Sequence, residues 1–395
     1  MTRRMVVVCL ASFVLVASIF TFSANPALAE NTLKIGAIWG LSGPGSNVMV
    51  VKKDGALLAA DWINSKGGVT VGGKKYMIEV LVEDNRNTSE GCVSAATKLV
   101  HGQKVKFVTG MVVPFQYEAV QTVTEPNKVL LVIAKAAYLT PKTPYSFSCS
   151  HSLMAPYPGV YGFLREAYPS VKTIGFTVND EPGSQAITAF GRDIAKAHGL
   201  ELLSSVVHPF AAKDFYPVWT KVLREKPDAV DVGINLPDSL AANIRQGREL
   251  GFKGPIISCA PCDPNTVLNM IGKDLATDFI FAGFDPHSPE APPMLKEIMK
   301  IWADKYKKPF DLDMHEGWSS IWTLVQAIEK AQSIDPTAVM KTWEKMDTVQ
   351  TPWGTGRMGG AKTFGVKHMV IDLSPITRLQ NGKVEFVRWY KVELP

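Results

Sequence analysis

The stretch Leu33-Lys-Ile-Gly-Ala-Ile-Trp-Gly-Leu-Ser-Gly-Pro44 decides how this chain is read. Leu33 to Ile38 is a short, mostly apolar run that does not alternate strictly with polar residues. Such a run is what a strand buried on both faces of a parallel sheet requires. Ser42, Gly43, Pro44 and Gly45 then break the run with loop chemistry. Beyond them Ala56, Ala59, Ala60 and Ile63 recur at helical spacing and predict a helix with one apolar face. Strand, Gly-rich loop and helix together form the opening unit of an α/β sheet.

Upstream of this unit lies a leader. Arg3 and Arg4 form a positive start, Met5 to Phe22 an apolar run, and Ala27-Leu28-Ala29 a small-x-small cleavage site, which predicts export and a mature chain from Glu30. Ser12, Ser18 and Thr21 interrupt the run, against its alternative as a retained anchor. No later segment offers about 18 unbroken apolar residues, so no transmembrane helix is expected. The expected compartment is the periplasm.

Downstream, apolar strand-like runs recur at 76–82, 105–108, 129–133, 173–178, 201–207, 229–234, 255–258 and 278–284. Helix-like segments lie between them, at 89–101, 183–197, 216–225 and 240–251, and later at 291–307 and 315–333. Strands alternating with helices predict mostly parallel sheets covered on both faces. A chain of 395 residues exceeds one such sheet, so two lobes are expected. Near the end, Asn381-Gly382 between two apolar runs predicts a β-hairpin.

Charge and cysteines narrow the function. The net charge of +5 falls to +3 once Arg3 and Arg4 leave with the leader, and it is spread without long runs. This speaks against nucleic acid and against a membrane-surface patch. Of five cysteines, Cys9 lies in the leader and Cys92, Cys149, Cys259 and Cys262 survive. In an oxidising compartment Cys259-Ala-Pro-Cys262 is expected to close as a short disulfide. A thioredoxin-like redox site would need this motif early in a βαβ unit, and here it follows a late strand. No second Cys or His pair stands at ligand spacing, so no metal is expected. No nucleophile elbow, metalloprotease helix, phosphate loop or dinucleotide loop is present, so no catalytic residue and no cofactor are assigned.

Several phrases resemble one family. They are Trp62-Ile-Asn-Ser-Lys-Gly-Gly68, Val80 to Asn85, Phe107-Val-Thr-Gly110, Lys226-Pro-Asp-Ala-Val-Asp-Val-Gly233 and Arg245-Gln-Gly-Arg-Glu-Leu-Gly-Phe-Lys253. In this order and spacing they resemble the periplasmic Leu/Ile/Val-binding proteins, solute receptors of branched-chain amino-acid ABC importers. The resemblance implies a type I periplasmic binding fold: α/β, with two doubly wound parallel-sheet lobes joined by a three-crossing hinge. It implies lobe 1 from 31–151 and 285–357, and lobe 2 from 152–284 and 358–395. It also implies a monomer that closes over a small molecule and docks on a membrane permease.

The resemblance further implies a ligand site on loops at the C-terminal ends of strands. Amino-acid-binding members use a Ser and a Thr from lobe 1, with an acid and aromatics from lobe 2. This chain departs from that pattern. Pro114 stands at the Ser position, Tyr138 at the Thr position, Asn235 at a lobe-2 aromatic position and Ala260 at the acid position. Asn87 and Val113 stand where the family has an early disulfide. A buried ammonium without an anion is uncompensated, so an apolar or aromatic acid is expected in place of a free branched-chain amino acid. The expected contacts are Trp39, Asn47, Val113, Phe115, Gln116, the backbone amide of Ala136, Tyr138, Glu181, Asn235, Ala260 and Trp318.

Each of these residues also has a simpler reading. Tyr138 could pack under the hinge, Phe115 could be a core residue, and Asn47 could cap its helix. Asn235 could open a turn, and Glu181 could sit on a solvated rim. Lys135 could neutralise an acid ligand, although its family position points away from the cleft. His315-Glu316 reads first as the acidic start of a helix. The other functional classes are a sensor domain presenting ligand to a chemoreceptor or kinase, a branched-chain amino-acid receptor with a rearranged site, and an enzyme.

Overall fold

The computed structural model describes residues 31–393 apart from Pro44, Tyr138, Ala211 and Ala260. The expected leader and its cleavage site lie outside the described residues. No helix among those described is long and apolar enough to cross a membrane.

Two sheets build two α/β lobes. In lobe 1 nine strands run in the order Val349–Thr351, Gly354–Gly359, Met369–Ile371, Ser146–Ser148, Leu130–Ile133, Phe107–Gly110, Asn31–Trp39, Lys74–Asp84 and Val69–Val71. The central pairs are parallel, with Gly36 opposite Val108 and Ile35 opposite Val80. Residues of Asn31–Trp39 divide between two cores, as a strand covered on both faces must. Ile35, Ala37 and Trp39 pack with the Ser46–Ser65 and Met314–Ala331 helices, while Ile38 packs with Leu99, Val108 and Leu131 on the other face. Asp84 pins the Gly-rich loop, accepting from the Leu41 amide at 2.8 Å and the Ser42 hydroxyl at 2.6 Å.

Lobe 2 has seven strands, in the order Lys383–Lys391, Leu373–Gln380, Phe279–Phe281, Ile256–Ser258, Ala229–Asp231, Thr173–Asn179 and Glu201–His208. The expected hairpin forms. Asn381 and Gly382 have φ of 51° and 70°, and Gln380 pairs with Lys383. Positive φ at both turn residues is the two-residue geometry that matches strand twist.

The chain crosses between lobes after Ser146–Ser148, after Phe279–Phe281 and at Asp372. The third crossing corrects the expected lobe boundary at 357/358. Residues 358–371 stay in lobe 1, because Gly354–Gly359 pairs with Met369–Ile371, which in turn lies parallel to Ser146–Ser148. Gly354–Gly359, rich in glycine, is a strand of this sheet.

Two helices of lobe 1 approach unusually closely. A Cβ on Gly55 would collide with the Met314 carbonyl, and one on Gly317 with the Lys52 carbonyl. Only glycine allows this contact, which brings the start of the Met314–Ala331 helix against Lys52.

Candidate functional site

A cavity of about 540 Å³ opens between the lobes. Lobe 1 contributes Lys135, the 309–316 segment and Trp353; lobe 2 contributes Pro237 and most of 259–267; the crossings contribute His151, Phe284 and Ser374. The loops at the C-terminal ends of parallel strands therefore meet here, where ligands bind in open α/β sheets.

The lobe-1 wall is built on a buried ion cluster. Lys52 Nζ lies 2.8 Å from one Glu316 oxygen, and Lys135 Nζ lies 3.6 Å from the other. Asp313 is 3.7 Å from Lys52 and half exposed. Burial alone would raise the Glu316 carboxyl, but Lys52 and Lys135 outweigh it and hold it at about 2. Burial would lower the Lys52 ammonium, yet Asp313 and Glu316 raise it. His315 is pushed down by burial, with Lys135 and Lys52 adding to the shift against Glu316. Its Nδ1 contacts the Leu312 carbonyl at 2.8 Å and must be the donor there. Its ring stands edge-on to Trp353 at 5.0 Å.

The loop carrying Lys135 is stapled in place. The Ala134 carbonyl accepts from Cys149 Sγ at 3.1 Å and Ser150 Oγ at 3.0 Å. The Ala136 amide donates to Ser148 Oγ at 3.1 Å. This corrects the expectation that the Ala136 amide serves a ligand, since its one donor is engaged by a hydroxyl of the Ser146–Ser148 strand. Lys135 itself turns into the cleft, drawn by Glu316. The hinge adds His151, whose Nδ1 contacts Asp372 Oδ1, joining the first crossing to the third. On the lobe-2 side Asp263 caps the Pro264–Ile271 helix, accepting from the Asn265 and Thr266 amides at 3.2 and 3.1 Å.

The nine described residues among the expected contacts do not line this cavity. Trp39 and Trp318 are buried in the lobe-1 core. Asn47 is exposed in the first turn of its helix and does not cap it; Gly45 holds the cap position in left-handed geometry. Val113 and Phe115 are exposed at the start of the Pro114–Thr124 helix. Gln116 is buried and donates to Asn87 at 3.0 Å. Glu181 is exposed, and Asn235 donates to the Val232 carbonyl at 2.6 Å. Tyr138 and Ala260 lie outside the described residues. The lining holds Lys135, Pro237 and Glu316, close in sequence to Ala136, Asn235 and Trp318, but nothing from the segments around Trp39, Asn47, 113–116 or Glu181.

The expected Cys259–Cys262 disulfide is also corrected: all four described cysteines are thiols. Cys259 packs with Tyr157, Tyr161 and Ile257 on one face of the lobe-2 sheet. Cys262 packs with the Val267 and Phe281 cluster on the other. A disulfide needs its two Cβ atoms about 4 Å apart and facing.

Residues 32–383 match the family model described as periplasmic binding protein. The chain belongs to the periplasmic binding protein family. It is 29% identical over 357 residues to the Leu/Ile/Val-binding protein BraC3 of Rhizobium johnstonii, covering 88% of this chain and 93% of that one. Two solved structures share its fold. One is the branched-chain amino acid transporter substrate-binding protein LivJ of Streptococcus pneumoniae in complex with isoleucine, with TM-score 0.74, 20% identity, and 91% and 100% of the two chains covered. The other is an ABC transporter solute-binding protein of Rhodopseudomonas palustris BisB5 in complex with 3,4-dihydroxybenzoic acid, with TM-score 0.73, 20% identity, and 92% and 99% covered. The family binds small molecules for ABC transporters and is generally non-enzymatic. Its members are periplasmic.

The sequence reading missed His151, Asp263, Phe284 and Trp353. Phe284 lies at one expected lobe boundary and Trp353 shortly before the next. His151 and Asp263 carried no pattern of their own.

Proposed function

We propose that this protein is a periplasmic receptor that closes over a small, largely apolar or aromatic organic acid and delivers it to an ABC importer permease. The observation that carries the reading is the 540 Å³ cavity, walled by both lobes and all three crossings. Closing the hinge changes such a cavity more than any other part of the fold, so a ligand there favours the closed state. Phe284, Phe310 and Trp353 supply aromatic walls, and a few polar groups fix orientation. The bound 3,4-dihydroxybenzoic acid of the Rhodopseudomonas structure is a ligand of this kind. The exported chain, cleaved after Ala29, acts as a monomer.

A second reading, a branched-chain amino-acid receptor with a rearranged site, is favoured by one observation. Asp263 and Asp285 line the cavity, so an ammonium would find a carboxylate there despite Ala260. A thermal-shift series on the mature protein separates the two readings. A ligand at about 1,000 times its dissociation constant adds about 4 kcal/mol, several degrees in Tm. Aromatic and aliphatic acids are expected to raise Tm. A rise with leucine or isoleucine alone would establish the second reading in place of the first.

A further inference from the structure

We infer that Lys135 is the anchor of the ligand, and that it selects a monoanion carried on a carboxylate. The inference rests on the receptor reading above and names the chemistry of that same cavity.

Lys135 is 9% exposed and lines the cavity. Its ammonium has three N–H donors. Among the described residues it makes no hydrogen bond, and its one ion pair is with Glu316 at 3.6 Å. Lys52 holds that same carboxylate at 2.8 Å. The enclosed cluster therefore has two cations for one anion, since Asp313, the next acid at Lys52, is half in solvent and Asp311, which also faces Lys52, is exposed. His315 does not add a third charge, because burial and both lysines disfavour its protonation.

A buried ammonium left short of acceptors is costly. One carboxylate entering the cavity would supply the missing charge and the missing acceptors together. Within helix and loop constraints Lys135 has little room to escape, since the Ala134 carbonyl and the Ala136 amide on either side are bonded to Ser150, Cys149 and Ser148.

The cavity also sets the charge limit. Asp263, Asp285, Asp311 and Asp313 line it. Asp263, Asp285 and Asp311 each accept a backbone amide. As carboxylates they have no donor to offer an anion, and they repel a second negative charge. The excess at Lys135 is one unit, so the ligand carries one.

The test uses matched probes on the mature protein by calorimetry: benzoate, benzamide, benzylamine and terephthalate, and in parallel hexanoate, hexanamide and hexylamine. The expected result is that a monoacid binds at least about tenfold tighter than its amide, as a charge-assisted bond implies. Terephthalate is expected to bind more weakly than benzoate. Lys135→Met should weaken the acid about 10- to 100-fold and leave the amide unchanged, which removes the acid preference; Lys135→Arg should retain it. The apo Lys135→Met variant should melt no lower than wild type, because it removes an under-compensated charge. Equal affinity for acid and amide in the wild type overturns the anchor while the receptor reading stands. That comparison decides even if Lys135→Met does not fold. An amine that binds best gives the site to the aspartates and overturns the anchor. No binding in any arm overturns the organic-acid reading, and the anchor with it.

Discussion

Glu316 in lobe 1 and Asp231 in lobe 2 are both enclosed carboxylates, yet they titrate in opposite directions. Asp231 ends the Ala229–Asp231 strand, and among the described residues it has no ion pair. Burial raises it to about 6, and bonds from the Gly233 amide at 2.8 Å and the Tyr161 hydroxyl at 2.9 Å pull it back only partly. Glu316 is as deeply placed, but Lys52 and Lys135 carry it down to about 2. Burial is common to both. The difference lies in whether the fold brings a counter-charge, and in lobe 1 it does so through the contact at Gly55 and Gly317. Lobe 2 satisfies its acid with neutral donors, whereas lobe 1 assembles a charged floor for the cleft.

The largest effect that would break this comparison is expected from Glu316→Gln. It leaves two buried ammoniums without an anion and should cost about 3–5 kcal/mol at pH 7 by urea denaturation. A loss below about 1 kcal/mol would mean that the cluster is solvated. The folded value of Glu316 lies below its unfolded one, so its stabilisation is present above about pH 4.5 and fades as pH falls toward 2, by about 3 kcal/mol. The variant should lack that acid limb.

Gly317→Ala is next. Helix propensity alone favours alanine by about 1 kcal/mol. The collision with the Lys52 carbonyl should reverse the sign and cost about 3 kcal/mol, with part of the Glu316 acid limb lost as the helices part. A stabilised variant would show that the close approach is not required.

Asp231→Asn should act in the other direction. The raised folded value makes native Asp231 most favourable below about pH 4, an advantage lost as pH rises through about 6. At pH 8 the variant should gain about 2 kcal/mol, and at pH 4 nothing. Equal effects at both values would mean that a cation compensates Asp231. The smallest effect is expected for Phe115→Ala on the exposed lobe-1 lip, within about 0.5 kcal/mol in the unliganded protein. A larger loss would place Phe115 in a packed interface.

Much of the fold was legible because parallel strands are apolar runs bounded by turn residues. The run at 173–178 became Thr173–Asn179, and the one at 201–207 became Glu201–His208. The strand Ser146–Ser148 was not legible, since a single apolar residue between two serines reads as part of a polar stretch. The site was legible only to the loop. Residues 134–138 were singled out, but Ala136 and Lys135 are adjacent, and which of them faces the cavity depends on the Ser148 hydroxyl and the Glu316 carboxylate. Both partners come from distant sequence. Cys259-Ala-Pro-Cys262 failed for a related reason, because the two thiols lie on opposite faces of one sheet.

Local chemistry, by itself, determined the α/β class, the two lobes and the Asn381-Gly382 hairpin, because apolar period and turn geometry act over a few residues. Tertiary structure alone decided where the chain last crosses the hinge, which side chains face the cavity, and the charge states of Glu316 and Asp231. Those depend on strand pairing and on groups tens to hundreds of residues away, and no local pattern records such distances.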